Sequence, residues 1–223
     1  MLFARRPSGL VAALALLLAS APLHAADTQT YNVTVSGTTS AEVEAALRAS
    51  SQLVTLAGGG PIPAFALISR ARSDIARVQT ALDSFGFYQN SVNITVADQP
   101  LEDPELPARL DAMAPGAAVT VKIAVTMGPL YHIGKITLAG DLPSRDRAAL
   151  GLESGDPALA RNVLDAGPRL MAALQEDGYA LAKVDGPEAT ADDRAHTIDI
   201  AYKVTSGPQD GENRVKLGNV LVK

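Results

Sequence analysis

Few residues in this chain could do chemistry. It has no cysteine, and beyond the first 25 residues its histidines are His132 and His196. Two imidazoles so far apart in sequence, with no thiolate to join them, make a poor zinc set. His132 reads as part of a connection and His196 as the polar head of a strand. Asp192 and Asp193 form a carboxylate pair of the type used in general acid–base catalysis. Neither has an apolar neighbourhood to lift its pKa, so the pair reads as a solvated loop. Gly58-Gly59-Gly60 is followed by proline, without the lysine that a phosphate cradle needs, and reads as a surface break. No Gly-x-Ser-x-Gly elbow is present. Asn32-Val33-Thr34 and Asn93-Ile94-Thr95 fit the glycosylation sequon but fall within strand-like alternation. The residues therefore point away from an enzyme and call for no metal and no cofactor.

What remains is the chemistry of backbone and aromatic groups. A strand at the edge of a small sheet offers unpaired N–H and C=O groups, and a second chain can add to it as a further strand. The best candidate edge is Tyr88, Gln89, Asn90, Ser91, Val92, Asn93, Ile94 and Thr95, because Asn90, Ser91 and Asn93 keep one side polar. Each hydrogen bond gained there is worth about 0.5–1.5 kcal/mol net, so binding would be weak and reversible. Phe87, Tyr88 and Tyr179 stand at strand heads just after helices. They read either as plugs beneath those helices or as binding aromatics.

The elements that position these residues recur. ALDSFGFYQNSVNITV and AALQEDGYALAKV each end a helical pattern, pass through Gly plus an aromatic, and enter a strand. Each is followed by a second alternating strand ending in Gly-Pro, VTVKIAVTMGP and IDIAYKVTSGP. YNVTVSG opens the first unit and YHIGKITLAG the second. The spacing is too long for a solenoid, whose repeats run roughly 20–50 residues, and suits tandem modules.

In the first unit a strand over Tyr31–Val35 leads to a short helix with a possible capping box at Thr39 and Glu42. A longer helix follows over about Ala64–Phe85, with Leu67, Ala71, Ile75, Val78, Leu82 and Phe85 on one stripe. Residues 97–116 read as an acidic, proline-rich linker. The second unit repeats the order, with a short helix near Ser144–Leu150, a helix start at Asp156-Pro157, and a strand over Tyr179–Val184. The interior Gly167-Pro168 predicts a bend or a break into two helices. Each unit is thus an α+β module of order β-α-α-β-β, with two helices on one face of a three-stranded sheet. Boundaries are expected at 27–129 and 130–208. Gly128, Pro129, Tyr131 and Gly134 form the hinge between them. Residues 209–223 look like the start of an incomplete third unit or a disordered tail.

The first 25 residues read as a secretion signal: Arg5 and Arg6, then an apolar run from Leu10 to Ala19 that is too short to span a bilayer. The chain holds 19 basic and 24 acidic residues, and removal of Arg5 and Arg6 deepens the net charge from −5 to −7. A diffuse acidic balance argues against nucleic acid as a partner.

The order of elements, with Gly-aromatic before the fourth and Gly-Pro after the fifth, resembles POTRA (polypeptide-transport-associated) domains. The first unit is similar to the first POTRA domain of TamA-like outer-membrane assembly factors, carried by SRARSDIARVQ and ALDSFGFYQNSVNITV. GPLYHIGKITLAG resembles the link between consecutive POTRA domains. The resemblance implies a non-enzymatic, periplasmic docking region in a Gram-negative bacterium, placed before an outer-membrane barrel that this chain does not contain. It implies as partners a TamB-like envelope-spanning subunit and unfolded outer-membrane client proteins. The alternatives are the periplasmic part of a related barrel, either the general assembly factor or a two-partner secretion transporter, a free-standing periplasmic scaffold or chaperone, and a small periplasmic α+β enzyme.

Overall fold

The computed structural model describes residues 28–114, 117–140, 147–179 and 181–205. The expected signal (1–25) and the expected third-unit start (209–223) lie outside these residues. Two modules are seen, each with its own buried cluster.

The first module is built from β1 (Thr28–Ser36), α1 (Ala41–Ser50), α2 (Gln52–Thr55), β2 (Ile62–Pro63), α3 (Ala64–Ser84), β3 (Ser91–Val96), β4 (Gln99–Pro100), α4 (Leu106–Asp111) and β5 (Ala118–Thr126). The sheet order is β2-β1-β5-β3-β4. β5 lies in the middle, parallel to β1 and antiparallel to β3. Its alternation places Val119, Val121, Ile123 and Val125 inward and leaves Thr120 and Lys122 exposed. Period two along a strand sends alternate side chains to opposite faces, so one face is core and the other faces water. The helix α3 buries Leu67, Ala71, Val78 and Leu82 against that core, with Ile75 and Phe85 at its margin. Full burial of each such leucine is worth about 1.5–3 kcal/mol. Gly86, at φ 87°, takes the left-handed position that ends the helix.

Three local expectations are corrected. The capping box at Thr39 and Glu42 does not form. Ser40 is the N-cap and makes no side-chain cap bond, while the Thr39 hydroxyl turns to Met127 Sδ at 3.6 Å. The second correction concerns the short helix, which breaks at Ser51. The Ser51 hydroxyl caps α2 by accepting from Val54 N at 3.1 Å. The third concerns residues 97–116. They are no bare linker: β4 and α4 fold back onto the module, and Leu101, Leu106 and Leu110 are fully buried. Arg72 donates to Leu101 O at 2.9 Å, and Gln29 Nε2 to Leu110 O at 3.1 Å. Three leucines among prolines are enough to anchor the segment to the core.

The second module contains β6 (His132–Ala139), α5 (Ala160–Glu176), β7 (Lys183–Val184), β8 (Glu188–Asp192) and β9 (Thr197–Thr205). β9 is parallel to β6 and antiparallel to β7 and β8. The order first strand, last strand, middle strand is that of β1-β5-β3, so the duplication read in the sequence is a duplication of topology. The sheets hold five and four strands, not three each. The extra members are the two-residue pieces β2 and β4 and the division of one edge strand into β7 and β8. That edge strand was expected to end at Val184; it resumes after Asp185-Gly186-Pro187 as Glu188–Asp192. Residues 144–146 of the short helix expected near Ser144–Leu150 lie outside the described residues, with Arg147 and Ala148 helical. The next helix begins at Ala160 rather than at Pro157.

Gly167-Pro168 does not divide α5, which runs through both. Pro168 has no N–H to return to Leu164 O, and an interior proline costs about 3 kcal/mol. Burial of Val163, Ala166, Leu170 and Leu174 on one side and a 2.5 Å hydrogen bond from the Tyr202 hydroxyl to Val163 O hold the helix against the sheet despite that cost.

Candidate docking edges and the junction between modules

The expected edge segment is divided by the structure. Ser91–Val96 is strand, whereas Tyr88, Gln89 and Asn90 lie in the turn before it. Asn90 is not an edge side chain. Its Nδ2 donates to Asp83 Oδ1 at 2.7 Å and to Phe87 O at 2.6 Å, tying the turn to the end of α3. Burial raises the Asp83 pKa, and the Asn90 hydrogen bond opposes the rise.

On its inner side β3 pairs with β5 along its whole length. On its outer side β4 covers Thr95 and Val96 alone. The cover is short for local reasons. Ala97 and Asp98, at φ 51° and 60°, make the tight two-residue turn that suits a hairpin, and Asp98 pairs with Lys122 Nζ. Pro100 brings no N–H to the ladder, and Leu101 dives into the core. Ser91, Val92, Asn93 and Ile94 therefore present an outer edge that no other described strand pairs with. Beside this edge lies a cleft of about 370 Å³, lined by Ile75 of α3, Val92, Ile94, Leu101 and Glu102. The second module places a groove of about 340 Å³ in the corresponding position between its long helix and edge strand, lined by Leu164, Pro168, Met171, Val184 and Pro187.

The expected hinge residues have distinct places. Gly134 is not in the connection but inside β6, where the register slips. A side chain there would meet Asp199 Oδ1, which accepts from Lys135 N at 2.6 Å. Gly128 and Pro129 do form the connection. Gly128 has φ 73°, and a Cβ on it would sit 2.3 Å from Gln89 O. Tyr131 is fully buried in the second module's core and also reaches the first. Its N–H donates to Gly86 O at 2.9 Å. Its ring meets Tyr88 edge-on at 5.3 Å and His196 at 5.5 Å. Its hydroxyl donates to Asp193 Oδ1 at 2.7 Å. Burial, then the Asp193 hydrogen bond and charge, push the Tyr131 pKa up. Tyr88 OH reaches Ala158 O at 3.4 Å, and Gln89 Nε2 reaches Asp193 O at 3.5 Å.

The remaining candidates for chemistry are structural in their contacts. His132 Nδ1 lies 2.8 Å from Gly155 O. Asp192 Oδ1 accepts from Arg194 N and Ala195 N at 2.9 and 3.0 Å, and these bonds lower its pKa. Among the described residues no group of three or more His, Asp or Glu is placed to hold a metal ion, and no helix is long and apolar enough to cross a membrane. Of the aromatics, Phe87 and Tyr179 pack at the margins of the two cores, while Tyr88 is 37% exposed and bridges the modules. Sequence reading did not foresee the Tyr88–Tyr131 contact; the aromatic after each helix was the available signal.

No family model matches the chain, and no curated protein does. Solved structures similar to it include POTRA3-5 of BamA from Haemophilus influenzae, 19% identical, TM-score 0.41, covering 81% of this chain and 66% of that one. POTRA1-3 of the periplasmic domain of Omp85 from Anabaena is 18% identical, TM-score 0.43, covering 81% and 61%. CdiB from Acinetobacter baumannii is 13% identical, TM-score 0.39, covering 80% and 29%. The chain thus spans less than two thirds of the length of each of these.

Proposed function

We propose that this chain is the exported, non-enzymatic docking region of an outer-membrane protein assembly or translocation factor of the TamA-like kind. It works in the periplasm after loss of residues 1–25. Its partners are a TamB-like envelope-spanning subunit and unfolded outer-membrane client chains, and a barrel beyond this sequence would hold it at the membrane. The motifs around Phe87 and at Gly128-Pro129 support the family reading. The observation that carries the mechanism is the outer edge of Ser91–Ile94, left unpaired while its neighbours Thr95 and Val96 are covered.

A strand adding there forms backbone hydrogen bonds that are indifferent to the client's sequence, and its alternate side chains reach the Ile75–Leu101 cleft. Four or so such bonds at about 0.5–1.5 kcal/mol each, less the cost of ordering the client, give contact that is made and released easily. That suits a surface over which unfolded chains pass.

The test uses a synthetic strand-forming peptide and two versions N-methylated on alternate backbone amides. In an edge strand, every second amide points at its neighbour. One methylated version should lose at least tenfold in affinity by fluorescence anisotropy, and the other should change little. Equal binding by all three would mean that side chains alone make the contact, and the strand-addition reading would fall.

A further inference from the structure

We infer that the open edges of the two modules act in series and take one extended segment of another polypeptide across both. The inference rests on the strand-addition reading above and adds that the occupant is single, bipartite and of fixed direction.

Direction and proximity carry it. β9 is parallel to β6, and β8 is antiparallel to β9. β8 therefore runs toward the junction and ends there at Asp192, next to the turn that holds Asp193 and His196. In the first module β5 ends at the junction, and its antiparallel neighbour β3 begins there at Ser91. Gln89, two residues before β3, touches Asp193, one residue after β8, at 3.5 Å. One edge strand thus stops where the next starts, both pointing the same way. On the outer side of β8, as of Ser91–Ile94, no described strand is paired.

The junction is built to hold this alignment. Tyr131 is fixed in one core and bonded to the other module through Gly86 O, and it also holds Asp193. Gly128 lets the connection pass against Gln89, where no side chain would fit.

The occupant's chemistry follows from the surface beside the edge. The helix-free face carries Asp199 and Lys203 on β9, with Arg194 at the turn, and on the edge strand β8 itself the exposed acids Glu188 and Asp192 beside Thr190. A segment with lysine or arginine at alternate positions complements it. The two free edges and the turn residues between them span roughly 12 residues, about 40 Å of extended chain.

The absence of cysteine makes the test clean. Asn93→Cys and Thr190→Cys place single thiols on exposed positions of the two edges. The probe is a 14-residue peptide with lysine at alternate positions and cysteine near either its N- or its C-terminus, together with its two seven-residue halves. The long peptide should bind at least tenfold more tightly than either half, because the second contact becomes intramolecular. Its N-terminal cysteine should couple to one variant and its C-terminal cysteine to the other, with antiparallel addition placing the N-terminal end on Asn93→Cys. Coupling with one exclusive polarity supports the proposal. A long peptide that binds no tighter than its halves, or that couples in both polarities, overturns it. In that case, continued capture of a half by Asn93→Cys would leave the single-edge reading standing. No capture by either variant would remove both.

Discussion

Asp74→Ala should cost this protein about 3–5 kcal/mol of folding stability, by the measure of removing one member of a buried charged network. Asp74 is fully buried on α3. It accepts from the Ser51 hydroxyl at 2.6 Å, Leu53 N at 2.7 Å, Gln52 N at 3.0 Å and Arg77 Nη1 at 3.1 Å. The serine and the two amides form the N-terminus of α2, whose first N–H groups have no partner within the helix. One carboxylate therefore satisfies the break between α1 and α2 and fastens both to the long helix. Alanine strands these donors where water cannot replace the lost acceptor. The Arg77 pair adds little, since its guanidinium is 39% exposed. Asp74→Asn should cost somewhat less, because one oxygen remains, but its amide N–H₂ then confronts a backbone donor. Urea unfolding of both variants checks the ordering. A loss under about 1 kcal/mol for alanine would mean that water reaches the site.

Gly128→Ala should cost about 2–4 kcal/mol and, more tellingly, break the alignment of the modules. A non-glycine residue at positive φ costs of order 1–3 kcal/mol. The larger part is collision: the new Cβ would lie 2.3 Å from Gln89 O and 2.9 Å from Gln89 C. Both are backbone atoms with no rotamer to escape into, so the connection or the turn before β3 must move. Each core keeps its own residues, so the damage should gather at the junction. Expected results are a lower unfolding midpoint and loss of the advantage of a long peptide over its halves, while a half still binds. Wild-type stability and an unchanged length dependence would show that the junction tolerates the movement.

Much of this was legible because it depends on short-range patterns. The alternation of Val119, Val121, Ile123 and Val125 defines β5, and the stripe from Leu67 to Leu82 defines α3; both read directly as burial. The order of elements and their duplication followed from these. What escaped depends on pairing between distant residues. Glu188–Asp192 has no apolar residue larger than alanine and is a strand because β9 supplies a register for it. Leu101, Leu106 and Leu110 looked like isolated residues in a proline-rich linker, and only the space beside α3 makes them anchors. Pro168 signalled a break that tertiary packing overrode. In the candidate edge, Ser91–Ile94 was legible from polar alternation. The limit at Thr95 was not, since it depends on a turn at Ala97-Asp98 that no Gly or Asn announces.

The most direct measurement is amide hydrogen exchange of the whole chain with and without a urea-unfolded outer-membrane barrel protein. Strand addition at the open edge predicts slower exchange confined to amides in Ser91–Ile94 and in Glu188–Asp192. Amides of β5, already paired on both sides, should be unchanged. Saturating client with no added protection at Ser91–Ile94 would contradict the account at its centre.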